Sequence, residues 1–166
     1  MIYKLVPFSP SLFEVQVEVE TKGNELLLTY QVQGPLKKLL LPKLNSSTSF
    51  KDELWKHSCL EFFIKKENSP EYTEFNFSPS GDYAIYHFDN YRERNFYFKN
   101  SVCPEIQSSL ANSLFELKAK IPLMKGEMSL TAVIEDIDQS ISYFALAHKK
   151  ERPDFHDPAS FIVNLN

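Results

Sequence analysis

From Phe13 to Glu20 the chain alternates without a fault: Phe13, Val15, Val17 and Val19 are apolar, and Glu14, Gln16, Glu18 and Glu20 are polar. A period of two sends successive side chains to opposite faces of a strand, whereas a helix would scatter both sets around its axis. The pattern demands a sheet with one wet face, and the apolar face needs a cover. Lys22-Gly23-Asn24 supplies a turn and ELLLTYQVQ returns, so residues 13–33 read as a hairpin ended by Gly34-Pro35.

The same period recurs along the chain. Phe115, Leu117, Ala119 and Ile121 alternate with Glu116, Lys118 and Lys120; 128–135 and 141–148 form a further pair across Asp136, Asp138 and Gln139. Strands are expected at 59–65, 72–78, 82–88 and 160–165, with breaks at Asn68-Ser69-Pro70 and Pro79-Ser80-Gly81. Segments 42–52 and 152–158 read as polar loops, and 103–112 as room for a short helical turn. Roughly ten or eleven strands at regular spacing, with no amphipathic helix, predict an all-β chain: an antiparallel β-sandwich of jelly-roll or immunoglobulin-like kind. No repeat, low-complexity tract or linker divides it, so one domain over 1–166 is expected.

Composition removes several functions. The net charge is −4 and the basic residues are scattered, which excludes the concentrated footprint a nucleic acid requires. No stretch nears the ~20 apolar residues of a membrane span. The start, MIYKLVPFSPSLFEV, has no signal-peptide pattern, so a cytoplasmic setting is the expectation. The two cysteines, Cys59 and Cys103, read as buried thiols or as one disulfide.

Chemistry concentrates between Asp52 and Arg94, which hold the sole Trp (Trp55), Glu61, Glu74, Asn76, two His and two Arg. In 59–65, Leu60, Phe62 and Ile64 share one face, and Cys59, Glu61 and Phe63 the other. Both faces are mostly apolar, so this is a central strand, and a carboxylate there needs a cation, several donors or a ligand. In 72–78, Tyr72, Glu74, Asn76 and Ser78 share a face against Thr73, Phe75 and Phe77. In 82–88 the sets are Tyr83, Ile85, His87 and Asp82, Ala84, Tyr86, Phe88.

If these strands are neighbours, Glu61, Glu74 and Asn76 share one surface, with Trp55 at its rim and Arg92 or Arg94 available to neutralise Glu61. Carboxylates and amides bond vicinal hydroxyls while a flat ring stacks on the apolar face of a pyranose, so a small saccharide is the expected ligand. Other readings stand beside it. Trp55 can be a packing residue, Glu61 a structural ion-pair member, Glu74 an ordinary exposed residue, Asn76 a loop satisfier, and Arg92 and Arg94 a solvated cluster. Glu61 and Glu74 can also be the acid–base pair of a glycoside hydrolase.

His57, His87, His148 and His156 have no zinc-finger or H-E-x-x-H spacing, and no P-loop, G-x-S-x-G or G-x-G-x-x-G is present. No metal or cofactor is expected, with calcium left open at Asp136/Asp138 and Asp154/Asp157, residues equally at home in turns. Ser80 belongs to a Pro/Gly turn and is not a nucleophile.

The segments LWKHSCLEFF (54–63), YTEFNFSPSG (72–81), Tyr86 with Phe88, and DFHDPASF (154–161) resemble the DOMON-like, family 9 type carbohydrate-binding domains. The match covers about a third of the chain sharply and implies a β-sandwich that binds sugar without cleaving it. In that family a saccharide end lies between two Trp rings, with Glu, Arg and Asn bonding its hydroxyls. Trp55, Glu61 and Asn76 match by position, and Arg92 and Arg94 loosely. With one Trp here, the second wall would be Tyr91, Tyr97 or Phe155. Other DOMON relatives bind haem through Met and His; Met1, Met124 and Met128 show no obvious His partner. Loss of the small ligand in favour of a protein partner is the remaining alternative.

Overall fold

The computed structural model describes residues 1–111 and 113–165. Among these residues it is all β, apart from three single 3-10 turns at Leu36–Lys38, Leu54–Lys56 and Pro158–Ser160. In chain order the strands are β1 (Ile2–Lys4), β2 (Val6–Pro7), β3 (Glu14–Lys22), β4 (Glu25–Gln33), β5 (Cys59–Lys65), β6 (Tyr72–Phe77) and β7 (Tyr83–Asn90). They continue with β8 (Glu93–Arg94), β9 (Glu105–Ala111), β10 (Leu114–Pro122), β11 (Gly126–Glu135), β12 (Ile141–Ala145) and β13 (Val163–Leu165).

Two antiparallel sheets form. The smaller runs β1-β3-β4-β10-β9 and the larger β2-β12-β11-β5-β6-β7-β8, with β13 paired to β11 beside β12. The predicted hairpin is β3–β4, and its Lys22↔Glu25 register leaves Gly23 and Asn24 as a two-residue turn. Gly23 has φ +60, the positive value that such tight hairpin turns require of their first central residue.

The alternation becomes packing. Val15, Val17 and Val19 from β3, Leu26, Leu28, Tyr30 and Val32 from β4, and Leu117, Ala119 and Ile121 from β10 meet Leu60, Phe62, Ile64, Phe75, Phe77 and Leu130 of the other sheet. Tyr30 is fully buried, and its hydroxyl donates to the Glu61 backbone carbonyl at 2.7 Å, tying β5 to the opposite sheet. A second apolar cluster forms on the other, outward face of the larger sheet. It includes Cys59, Phe63, Tyr72, Ala84, Tyr86, Phe88 and Val133, capped by Leu54 and Phe161. β5, β6 and β11 are therefore buried on both faces, which is why they read as nearly continuous apolar runs.

Two expectations are corrected. Residues 105–111 of the proposed helical turn form the edge strand β9, paired along β10 from Glu105 to Ala111, while Asn112 lies outside the described residues. Ile106 and Leu110 are spaced as on a helix, but the open edge of β10 offers backbone partners that a lone turn lacks. The last segment splits into the Pro158–Ser160 turn, capped by the Asp157 carboxylate, and β13. The cysteines are free, Cys59 buried and Cys103 exposed.

Candidate functional site

The outward face of the larger sheet opens into a cleft of about 500 Å³. Its floor carries Glu61 and Phe63 from β5, Glu74 from β6, and Tyr86 and Phe88 from β7. Trp55, Arg92 and Arg94 also line the cleft, with Arg152, Phe155 and His156 contributed by the 150–157 loop.

Register places the two acids together. Glu61 pairs with Asn76 and Phe63 with Glu74, so Glu61 and Glu74 are diagonal neighbours on one face. Both are almost fully buried. Glu61 Oε2 accepts from the Thr131 hydroxyl at 2.7 Å, and Oε1 has no partner among the described residues. Glu74 Oε1 accepts from Asn76 Nδ2 at 2.7 Å, and Asn76 Oδ1 accepts from the Cys59 thiol at 3.3 Å.

Burial pushes the Glu61 carboxyl well above the usual carboxylate range, and the neighbouring Glu74 pushes it further against the Thr131 bond. Burial lifts Glu74 to about 7, although the Asn76 bond and the Arg94 and Arg92 charges oppose the rise. Both carboxyls therefore hold protons at pH values where free carboxylates have lost them, and a charge on one raises the other. The floor offers one hydroxyl-like donor next to one ionisable acceptor, a pairing that suits a ligand rich in hydroxyls.

Trp55 is placed by its neighbours. Leu54 packs into the outward apolar cluster, and the single 3-10 turn that it begins swings the indole out, leaving it 47% exposed. The turn starts at Glu53 in the left-handed region (φ 60), its N–H donating to Tyr86 Oη at 3.1 Å; Tyr86 in turn donates a short bond to Asp52. That bond is the main reason the Asp52 carboxyl is lowered.

Asp154 ties the 150–157 loop to the Arg92 hairpin. Its side chain is 3% exposed and accepts from Lys150 Nζ at 2.6 Å, Tyr91 Oη at 2.7 Å and Arg92 Nη2 at 2.8 Å. Burial alone would raise its carboxyl, but these three donors outweigh it and hold the group well below the usual range. Tyr72 Oη and His156 Nδ1 are 2.9 Å apart. Burial raises Tyr72 to about 12 and lowers His156 to about 4, so at neutral pH the phenol is protonated and the imidazole uncharged. His156 Nε2 lies 3.7 Å from Glu74 Oε2, which is not an ion pair at neutral pH.

Of the residues singled out in the sequence, Trp55, Glu61, Glu74, Arg92 and Arg94 line the cleft. Asn76 lies beneath it, fully buried against Glu74. Tyr91 leans on Asp154 instead of forming a wall, and Tyr97 is 94% exposed outside the cleft. The expected Arg–Glu61 neutralisation is not the arrangement found: Arg92 pairs with Asp154, and Arg94 lies 4.1 Å above the Tyr86 ring with Asp52 at 3.9 Å. Of the three candidate second walls only Phe155 lines the cleft, set edge-on to Tyr143 at 5.9 Å. The pattern DFHDPAS is legible as a turn, but Asp154 also takes Tyr91 and Arg92, and His156 takes Tyr72, all more than 60 residues away, which alternation does not reveal.

No three His, Cys, Asp or Glu side chains among the described residues are grouped as a metal site. Asp136 accepts from Asp138 N, Ser140 N and Ser140 Oγ, and Asp157 caps the last 3-10 turn. Met128 is buried in the sandwich interior.

No family model matches the chain. No curated protein matches it either. Solved structures do. A candidate carbohydrate-binding protein from Bacteroides uniformis ATCC 8492 is similar at 22% identity and TM-score 0.68, over 98% of this chain and 84% of that one. A family 9 carbohydrate-binding module from Caldicellulosiruptor kristjanssonii, in complex with glucose, is similar at 12% identity and TM-score 0.50, over 83% of this chain and 69% of that one. The cellotriose complex gives 12% identity and TM-score 0.55, over 88% and 72% of the two chains. At such identities the likeness is one of fold: this chain has the β-sandwich fold of the family 9 carbohydrate-binding modules.

Proposed function

We propose that the domain binds a saccharide without cleaving it, in the cleft between Trp55, Glu61, Glu74 and the 150–157 loop. The observation that carries this reading is the half-exposed indole beside a buried floor whose Glu61 Oε1 lacks a protein partner among the described residues. The indole offers a stacking plane for the C–H face of a sugar ring, and the floor offers a donor and an acceptor for its hydroxyls. Phe155 lines the same cleft as a second apolar surface. Modules of this fold that hold glucose and cellotriose support the assignment by analogy.

Trp55 is the sole Trp, so its fluorescence reports directly on occupancy of the cleft. A glycan array should identify ligands, and their titration should perturb the emission with a Kd of about millimolar to micromolar. W55A should weaken binding at least about tenfold while circular dichroism stays unchanged, because an indole so exposed contributes little to folding. Undiminished binding by W55A would refute the site.

A hydrolase reading draws on Glu74, whose carboxyl at about 7 suits a general acid. Such an enzyme needs the second carboxyl ionised as nucleophile or base, whereas burial and the neighbouring Glu74 push Glu61 well above the usual carboxylate range. Release of new reducing ends from oligosaccharides, lost in E74Q, would favour that reading over binding alone.

A further inference from the structure

Lys and Arg together number 18, yet only Arg92, Arg94 and Arg152 are arginines, and all three line the cleft. They reach it from two separate segments, the β7–β8 hairpin and the 150–157 loop. Among the described residues no lysine lines it. The difference is chemical: a guanidinium is a planar fork that meets a carboxylate, phosphate or sulfate with two parallel bonds, while an ammonium is a hydrated point charge.

The three arginines are not equally committed. Arg92 is bonded to Asp154 at 2.8 Å. Arg94 lies 4.1 Å over the Tyr86 ring, and its nearest carboxylate, Asp52, is 3.9 Å away, beyond hydrogen-bond length. Arg152 is exposed and makes no ion pair or hydrogen bond among the described residues. Neutralising the acidic floor accounts for Arg92 and Arg94, whose charges act on Glu74; Arg152 is not among the charges that act there. Its presence at the cleft is left without an internal purpose.

We infer that the cleft takes a saccharide bearing an anionic substituent, with the ring against Trp55 and the anion in the forks of Arg152 and Arg94. The inference rests on the saccharide reading and adds the charge of the ligand to it. A uronic acid carboxylate and a phosphate or sulfate ester share this chemistry, and the ligand panel separates them.

The test uses the full chain and matched sugars: glucose against glucuronic acid, galactose against galacturonic acid, and glucose 6-phosphate, with acetate and inorganic phosphate as controls. Binding is followed by Trp55 emission and calorimetry. At low salt the charged member of a pair should bind at least about tenfold more tightly than its neutral partner, and the ratio should shrink as salt rises. R152Q should bring the ratio towards one, and R152K should restore only part of it, since charge returns without the fork. Glucuronic acid outranking glucose 6-phosphate identifies a carboxylate, and the reverse order an ester. Equal affinity for charged and neutral partners, or a ratio untouched by R152Q, overturns the inference while the saccharide reading stands. Acetate or phosphate binding as tightly as the charged sugars overturns it as well, and no saccharide binding at all overturns both.

Discussion

Replacing Glu74 with Gln should stabilise the protein near neutral pH and leave its acid stability almost unchanged. The Glu74 carboxyl rises from 4.5 to about 7 because folding buries it. Between those values the native state keeps a proton that the unfolded chain has released. Unfolding then sheds a proton, so rising pH favours the unfolded state. A tenfold difference in proton affinity between the two states is worth about 1.4 kcal/mol, so the wild type should lose about 3 kcal/mol across this window and little more above it. Gln keeps an oxygen to accept from Asn76 Nδ2 and has nothing to ionise. Urea unfolding of both proteins at intervals from about pH 4 to pH 8 should show the difference in favour of E74Q growing to about 3 kcal/mol and then levelling. Parallel profiles, with a constant difference from acid to neutral pH, would refute the claim that folding holds this carboxyl protonated.

Two further outcomes can be checked. D154N should lower stability by only about 1 kcal/mol, since the Lys150 and Arg92 side chains are 39% and 52% exposed, but should speed hydrogen exchange in the 150–157 loop and the 90–94 hairpin together; exchange confined to one segment would deny Asp154 its bridging part. Cys59 is fully buried and its thiol is pushed up chiefly by that burial, whereas Cys103 is exposed; a thiol reagent should therefore titrate one cysteine in the native protein and two after denaturation.

Sequence and structure agree most closely where one face of a strand is wet. The β3–β4 hairpin was legible because Glu14 to Glu20 mark the solvent side, and the outward set Cys59, Glu61 and Phe63 followed from period two alone. The edge strand β9 was not, because Glu105–Ala111 is mostly exposed and its shape comes from β10. In the site, alternation brought Glu74 and Asn76 to one face but could not say that Asn76 would lie under Glu74 as its donor. One rich segment holds Arg92, Arg94 and Glu61, which suggests an ion pair there; the partner of Arg92, Asp154, is 62 residues on, supplied by a loop whose path no local pattern encodes. Tyr97 was drawn in by the same density of rings, whereas the chain beyond β8 carries it out to solvent.

β5 has a consequence for how such a protein can change. Its even-numbered residues Leu60, Phe62 and Ile64 are clasped between the sheets, and its odd-numbered ones, Glu61 and Phe63, face the cleft. Sliding the strand by one residue would plunge the acid into hydrocarbon and evict three large side chains, so the interior acts as a ruler that sets where the cleft residues stand. New side chains can then be tried on the odd positions without disturbing the ruler, and a lineage built on this scaffold is free to alter what it grips while its architecture stays still.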